Sequence, residues 1–405
     1  MKTQVFTKPL AEAVIACSEC LARDPMRVGP GTLRVARGDR ELTLMTRTRT
    51  GVVRMVFRVP CDPGDPWAAV LDANGASRLA KVLRSATTSK KKKSGAAESV
   101  DIERSATSLV VSVGGQRVTL HAGDVQDEEP GPVDGEARVL DGVGDLVSRI
   151  ARAMTFCAPA GSRDLTRGPH LYLRAAGTCR IPVIVSTDGH RMFMDGEVGD
   201  CAEATTVLRV PGDNWRSAVR ALDTTFDRIR VVRSAIVGSV DKHLDYLVFE
   251  STDREVRILL ETPQVRLPGW SGYIPPDSIP AAFDVTCNKA DLVRGIKAIP
   301  QKNGSSEGRV AIAQAAHSLN LQAGTADDLI EQSLNAEVAG AQGTGVTLAP
   351  RYVLDALAVV GTERVRIRQV AALDPVRFLE VGVSETWTTR RLSGIIVMPV
   401  FNPRD

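Results

Sequence analysis

A pattern of about 140 residues recurs three times along the 405-residue chain, a period far longer than those of solenoid repeats. The first copy reads as a strand at Ala69-Val70-Leu71-Asp72, a helical stretch Ala76–Leu83 and a strand at Ser99–Ile102. The second runs Val207–Pro211, Trp215–Leu222 and Arg228–Val232, and the third Val346–Pro350, Tyr352–Val359 and Arg364–Ile367. Each copy is preceded by another short helix, at Pro9–Cys20, Gly144–Met154 and Lys289–Ile299, itself followed by strand-like segments such as Gly31–Val35 and His170–Leu173. Loops rich in Gly, Pro and acid, Asp127–Pro132 and Pro275–Pro280, separate the copies. The expected architecture is α+β, with three similar domains at 1–133, 134–277 and 278–405. Each domain holds two half-units of one helix and several antiparallel strands, because short turns between alternating strands favour hairpins over βαβ crossovers. A half-unit buries one sheet face under its helix, so adjacent half-units place their helices on one surface and their sheets on the other.

Composition narrows the class without naming it. Hydrophobic residues make up 43% and charged residues 24%, as in a globular protein with a full core, and aromatics only 4%, so Val, Leu, Ile and Ala must build that core. No run approaches the roughly 18 apolar residues of a membrane span. The N-terminal Met1–Phe6 alternates like a strand rather than like a signal peptide. A cytoplasmic protein that engages no membrane is expected. Seven scattered cysteines do not make a disulfide framework; Cys17 and Cys20 form a C-x-x-C within a helix and lack the second pair a zinc site needs. The net charge of +3 implies no nucleic acid by itself, so the placement of charge matters more than its sum.

That placement is patterned. Four of the helices carry basic residues at i, i+3 or i, i+4, hence on one face: Arg78, Lys81 and Arg84; Arg149 and Arg152; Arg216 and Arg220; Arg294 and Lys297. The opposite faces are apolar. One such face alone reads as a solvated helix surface. Its recurrence on equivalent helices predicts a shared positive surface that touches phosphates and, lacking interleaved aromatics, does not read bases. The helix at Pro9–Cys20, with Glu12 and Glu19, and that at 351–360, with Arg351 against Asp355, dilute the pattern. The run Lys90–Lys93 lies in a Ser/Gly-rich loop and reads as an insertion.

The most informative stretch is Val185-Ser186-Thr187-Asp188-Gly189-His190-Arg191-Met192-Phe193, where two strands meet at a glycine turn packed with Asp, His and Arg. It resembles the T-D-G-H-R-(L/M) signature of the bacterial DNA polymerase III beta subunit, the sliding clamp. Leu267–Pro275 resembles that family's linker between its second and third domains, and Ile395–Val400 its C-terminal V-V-M-P-(M/V). The three motifs fall in the family's order and the resemblance spans all three domains. It implies a head-to-tail homodimer closed into a ring, helices lining the hole and sheets outside. It implies no catalysis and no cofactor or metal. The implied partners are encircled duplex DNA, a replicative polymerase, a clamp loader, and repair polymerases or ligase, on the nucleoid.

By motif match, the partner-peptide groove of that family would use Thr187, Gly189, His190, Arg191 and Met192, with Pro268, Gly272 and Tyr273 from the linker. Ile396, Val397, Met398, Pro399 and Val400 would come from the tail, and Leu165 would add a wall. Methionine suits a groove that takes varied peptides. Edge strands would pair across the dimer at Gln116, Arg117 and Leu120, with Ile299 an apolar contact. The chain departs from the family in having Gly272 where a basic residue is common, in continuing through Phe401–Asp405, and in the lysine insertion of the first domain. These departures suit a divergent or accessory member, or one encoded by a phage or plasmid. Two other classes remain to be weighed. Asp188-x-His190 is the kind of pair that opens a metallophosphoesterase site, although His121, His170, His243 and His317 lie in unrelated contexts and no phosphate-binding loop or nucleophile elbow is present. The other is a β-rich scaffold unrelated to DNA.

Overall fold

The computed structural model describes residues 2–22, 31–48, 53–88, 99–123, 133–140, 145–158, 167–174, 183–196, 204–222, 226–235, 243–263, 279–299, 308–323, 329–341, 343–372, 374–381 and 392–398. Within them the elements fall into one order, repeated three times. The first copy is β1 (Lys2–Phe6), α1 (Thr7–Ala22), β2 (Thr32–Arg37), β3 (Glu41–Arg47), β4 (Val53–Pro60), β5 (Trp67–Asp72), α2 (Ala73–Thr88), β6 (Ser99–Arg104), β7 (Ser108–Val113) and β8 (Gln116–His121). The second is β9 (Val133–Val139), α3 (Leu146–Met154), β10 (His170–Arg174), β11 (Val183–Thr187), β12 (Arg191–Gly196), β13 (Ala204–Arg209), α4 (Gly212–Ala218, prolonged by a 3₁₀ turn Val219–Leu222), β14 (Arg228–Ala235), β15 (His243–Glu250) and β16 (Arg254–Leu259). The third is β17 (Phe283–Asn288), α5 (Lys289–Ala298), β18 (Val310–Gln314), β19 (Ser318–Ala323), β20 (Ile330–Val338), β21 (Gly345–Leu348), α6 (Pro350–Val359), β22 (Arg364–Gln369), β23 (Val376–Glu380) and β24 (Leu392–Val397). Strand, helix and three strands thus alternate six times, as the sequence predicts.

Pairing repeats with the order, and every described pairing is antiparallel. The strand before each first helix pairs beyond the second: β1 with β6, β9 with β14, β17 with β22. The strand before each second helix returns to the first half: β5 with β2, β13 with β10, β21 with β18. Each half-unit therefore lends a strand to the other. The last strand of a half-unit in one repeat then pairs with the last strand of the next repeat, as β4 pairs with β16 and β12 with β24. Chain contacts accordingly gather into two compact units, 1–145 with 210–261 and 146–209 with 262–405, which cut across the sequence repeat.

Local chemistry explains the helices. The Asp72 carboxylate accepts the Gly75 N–H at 2.6 Å and so caps α2, while Asn288 accepts from Ala290 and Asp291 to cap α5. Pro350 opens α6 at a position where no N–H is needed. Helix α2 buries Ala76, Leu79, Ala80 and Leu83 and leaves Arg78, Lys81 and Arg84 outward. Helix α1 is buried on nearly all sides, including Cys17 and Cys20, because α2 and α4 flank it. Burial pushes the Cys17 thiol well above its ordinary value, so the C-x-x-C is core. Among the described residues no helix is long and apolar enough to cross a membrane.

Candidate functional site

The glycine turn between β11 and β12 is built by its own side chains. The Asp188 carboxylate accepts the backbone N–H of His190 at 3.0 Å and of Arg191 at 3.1 Å, and the Arg191 Nε–H at 2.8 Å. Thr187 Oγ1 accepts the Gly189 N–H at 3.0 Å and donates to the Arg191 carbonyl at 2.7 Å. Gly189 has φ +92°, a conformation that side-chain-bearing residues seldom adopt. Asp188 is thus spent on the turn and on Arg191. The turn is also anchored to the C-terminal strand: Arg191 pairs with Val397 and Met192 with Ile396, and the Met398 N–H donates to the His190 carbonyl at 2.9 Å.

Rings and guanidinium groups stack beside this turn. The His190 ring lies 5.8 Å from that of Tyr352 on α6, nearly parallel at 18°. The Arg191 guanidinium covers the Tyr352 ring at 4.9 Å and the Phe156 ring at 5.1 Å. Phe156 stacks on Phe193 at 5.7 Å, and Arg152 covers Phe193 at 5.5 Å. Arg191 also pairs with Asp355 through Nη1 and donates from Nη2 to the Thr155 carbonyl at 3.2 Å. Burial alone would lower the pKa of Arg191, but its hydrogen bonds and charge pairing with Asp188 and Asp355 raise it above the ordinary value. Burial, aided by the Asp188 charge, likewise raises the Tyr352 phenol.

The sequence-derived groove set divides in three. Thr187 and Met192 are half-buried, Gly189 and His190 exposed and Met398 half-buried, all around the turn. Arg191, Ile396 and Val397 are buried, which corrects their expected place on an open wall: Arg191 is held by Asp188 and Asp355, and Ile396 and Val397 pack into the core from β24, an interior strand between β12 and β23. Leu165, Pro268, Gly272, Tyr273, Pro399 and Val400 lie outside the described residues, as do Lys90–Lys93 and the tail after Met398. Sequence reading missed Tyr352, Phe156 and Asp355. A tyrosine on the helix face next to Arg351 and Asp355 was visible, but nothing in the sequence places α6 beside residue 190.

The basic set also needs one correction. Arg149 is buried on the same face of α3 as Leu146, Ile150 and Ala153, its Nε 2.8 Å from Asp195 Oδ2, and so cannot meet phosphate. Arg152 is half-buried and reaches Glu380 at 3.4 Å. The rest are exposed. Arg78, Lys81, Arg220 and Lys297 have no acidic partner among the described residues. Arg84 pairs with Glu19 at 3.1 Å, Arg216 with Asp213, and Arg294 with Asp291 at 3.3 Å. Gln116 and Arg117 are exposed on β8, a sheet-edge strand. Leu120 and Ile299, expected as apolar contacts between copies, are instead buried at 0% and 6% exposure in this chain's own core.

No family model and no curated protein matches the sequence. Solved structures do. The DNA polymerase III beta subunit of Pseudomonas aeruginosa superposes with TM-score 0.73 at 18% identity, covering 99% of this chain and 100% of that one. The beta subunit of Thermotoga maritima gives 0.73 at 16%, covering 99% of each chain. That of Streptococcus pyogenes gives 0.72 at 15%, covering 99% of this chain and 100% of that one. The chain has the sliding-clamp fold over its whole length.

Proposed function

We propose that the chain is a DNA sliding clamp, a non-catalytic ring subunit that encircles duplex DNA and tethers a replicative polymerase. The observation that carries this reading is the strand periodicity. β4 pairs with β16 and β12 with β24, so the next member of the series is β20, whose equivalent partner would be the free edge β8. Among the described residues β20 meets β17 only at Ala336–Val338, so the edge of Ile330–Asn335 that faces away from β19 is left for that partner. The β8 of a second copy supplies it, and two copies joined in this way head to tail close a ring of six domains. The contacts across that joint are backbone pairing with Gln116 and Arg117 at its surface, since Leu120 and Ile299 face inward. The domains are those of the repeat, 1–133, 134–277 and 278–405.

The exposed basic residues of α2, α4 and α5 meet phosphates without reading sequence. The turn, Met398 and the residues Pro399 and Val400 that follow it form a groove for a short peptide of the polymerase, of a loader that opens the ring, or of repair polymerases and ligase. The protein acts in the cytoplasm on the nucleoid. Burying one Leu or Phe of such a peptide contributes about 1.5–3 kcal/mol, much of it offset by ordering the peptide. Binding in the micromolar range is therefore expected, made effective by the tether to DNA. Removing residues 398–405 should weaken binding of a labelled polymerase C-terminal peptide by at least about tenfold in fluorescence anisotropy while leaving the dimer intact in light scattering. Unchanged peptide binding would refute the groove.

A further inference from the structure

We propose that Arg191 is a positioning residue of the partner groove: packed against Phe156 and Tyr352, it sets the His190–Tyr352 ring pair that a partner meets and does not itself touch the partner. This inference rests on the groove reading above.

The geometry leaves Arg191 little else to do. Its side chain is 5% exposed. Nε is held by Asp188 at 2.8 Å, Nη1 by Asp355, and Nη2 by the Thr155 carbonyl at 3.2 Å. The Phe156 and Tyr352 rings pack against it, their centres 5.1 and 4.9 Å from its central carbon. A guanidinium whose three nitrogens each have a partner, on a side chain 5% exposed, offers a peptide little surface. Its partners come from separate parts of the fold: Thr155 and Phe156 just after α3, Asp188 in the turn, Tyr352 and Asp355 on α6. Arg191 therefore fixes α6 to the turn. The ring of Tyr352 that it covers also stacks on the exposed His190 at 5.8 Å. Phe156, Arg191, Tyr352 and His190 are thus linked by successive ring contacts.

Only arginine suits this position. Lysine carries the charge but has no plane to stack and no fork to reach two carboxylates and a carbonyl together. Without the guanidinium, Tyr352 loses its backing and Asp188 and Asp355 lose their shared cation. The His190–Tyr352 pair then occupies several arrangements, and a peptide that needs one of them binds in proportion to its population.

The test uses the full-length dimer with two readouts. The first is the position of the His190 ring protons in the NMR spectrum of the free protein, which the Tyr352 ring displaces upfield. The second is the affinity and association rate of a short fluorescein-labelled peptide carrying a Leu and a Phe. Arg191→Lys and Arg191→Met should both abolish the upfield displacement and weaken the peptide about tenfold, chiefly through slower productive association. Tyr352→Leu should do the same, whereas Tyr352→Phe, which keeps the ring, should preserve both readouts. Because Arg191→Met leaves two carboxylates unopposed, the double variant Arg191→Met/Asp355→Asn serves if the single one does not fold. Weaker binding with the His190 displacement intact would make Arg191 a direct contact and overturn the proposal, as would unchanged values of both readouts. If the wild-type dimer bound no peptide while Arg191→Met still abolished the displacement, the groove reading would fail and the ordering of the rings by Arg191 would stand.

Discussion

Replacing Arg149 with alanine is expected to destabilise the protein by about 3–5 kcal/mol, the cost of leaving one member of a buried ion pair without the other. Arg149 and Asp195 are 1% and 2% exposed, and the guanidinium holds both a carboxylate oxygen at 2.8 Å and the Asp195 carbonyl at 3.0 Å. The pair joins α3 to β12, the strand that leaves the glycine turn. Removing the cation strands a carboxylate beneath a packed helix, with no route to water short of local unfolding. A double replacement, Arg149→Met with Asp195→Leu, should recover most of the loss, since neither side chain then needs a counter-charge. Arg78→Ala, on an exposed helix face, should stay within about 0.5 kcal/mol of the wild type. Chemical denaturation followed by the protein's four tryptophans would compare the variants. Equal midpoints for Arg149→Ala and Arg78→Ala would show that the pair contributes nothing.

Neutralising the exposed basic residues together should have the opposite signature, with stability kept and DNA affinity lost. Each phosphate contact removed lowers the slope of log K against log salt by about 0.9. Changing Arg78, Lys81, Arg220 and Lys297 to Gln should therefore flatten the salt dependence by up to about 3–4 units. These have no acidic partner among the described residues, whereas Arg216 and Arg294 already share their charge with Asp213 and Asp291. Sequence preference should not change, because no base edge is read. A slope equal to that of the wild type would remove these helices from the DNA-facing surface.

The contrast between Arg149 and Arg78 shows where sequence reading reaches its limit. Both precede another basic residue by three positions. On α3, however, Leu146, Ile150 and Ala153 surround Arg149 at helical spacing, so it occupies an apolar-face position, and its partner lies 46 residues away. The pattern was compatible with either face, and only the fold brings Asp195 to it. The repeat was legible because strand alternation and helix periodicity are local, and the six expected helices lie where the pattern puts them. The glycine turn was legible for the same reason, since its bonds close within five residues. The ring contacts were not, because Phe156, Arg191 and Tyr352 come from separate segments that only the fold brings together. Ile396 and Val397 entered the groove set by motif match, and a short motif does not say which of its side chains face inward; both are buried.

Encirclement is the claim on which the functional account stands, and retention on DNA of two topologies tests it most directly. The protein is loaded by a clamp loader onto nicked circular plasmid, washed at a salt concentration that removes electrostatically bound protein, and half of the sample is cut once with a restriction enzyme. A closed ring stays on the uncut circles and slides off the cut ones, so gel filtration should find it with circular DNA and free after linearisation. Equal retention on both would mean that the protein holds DNA by contact alone and would contradict the clamp.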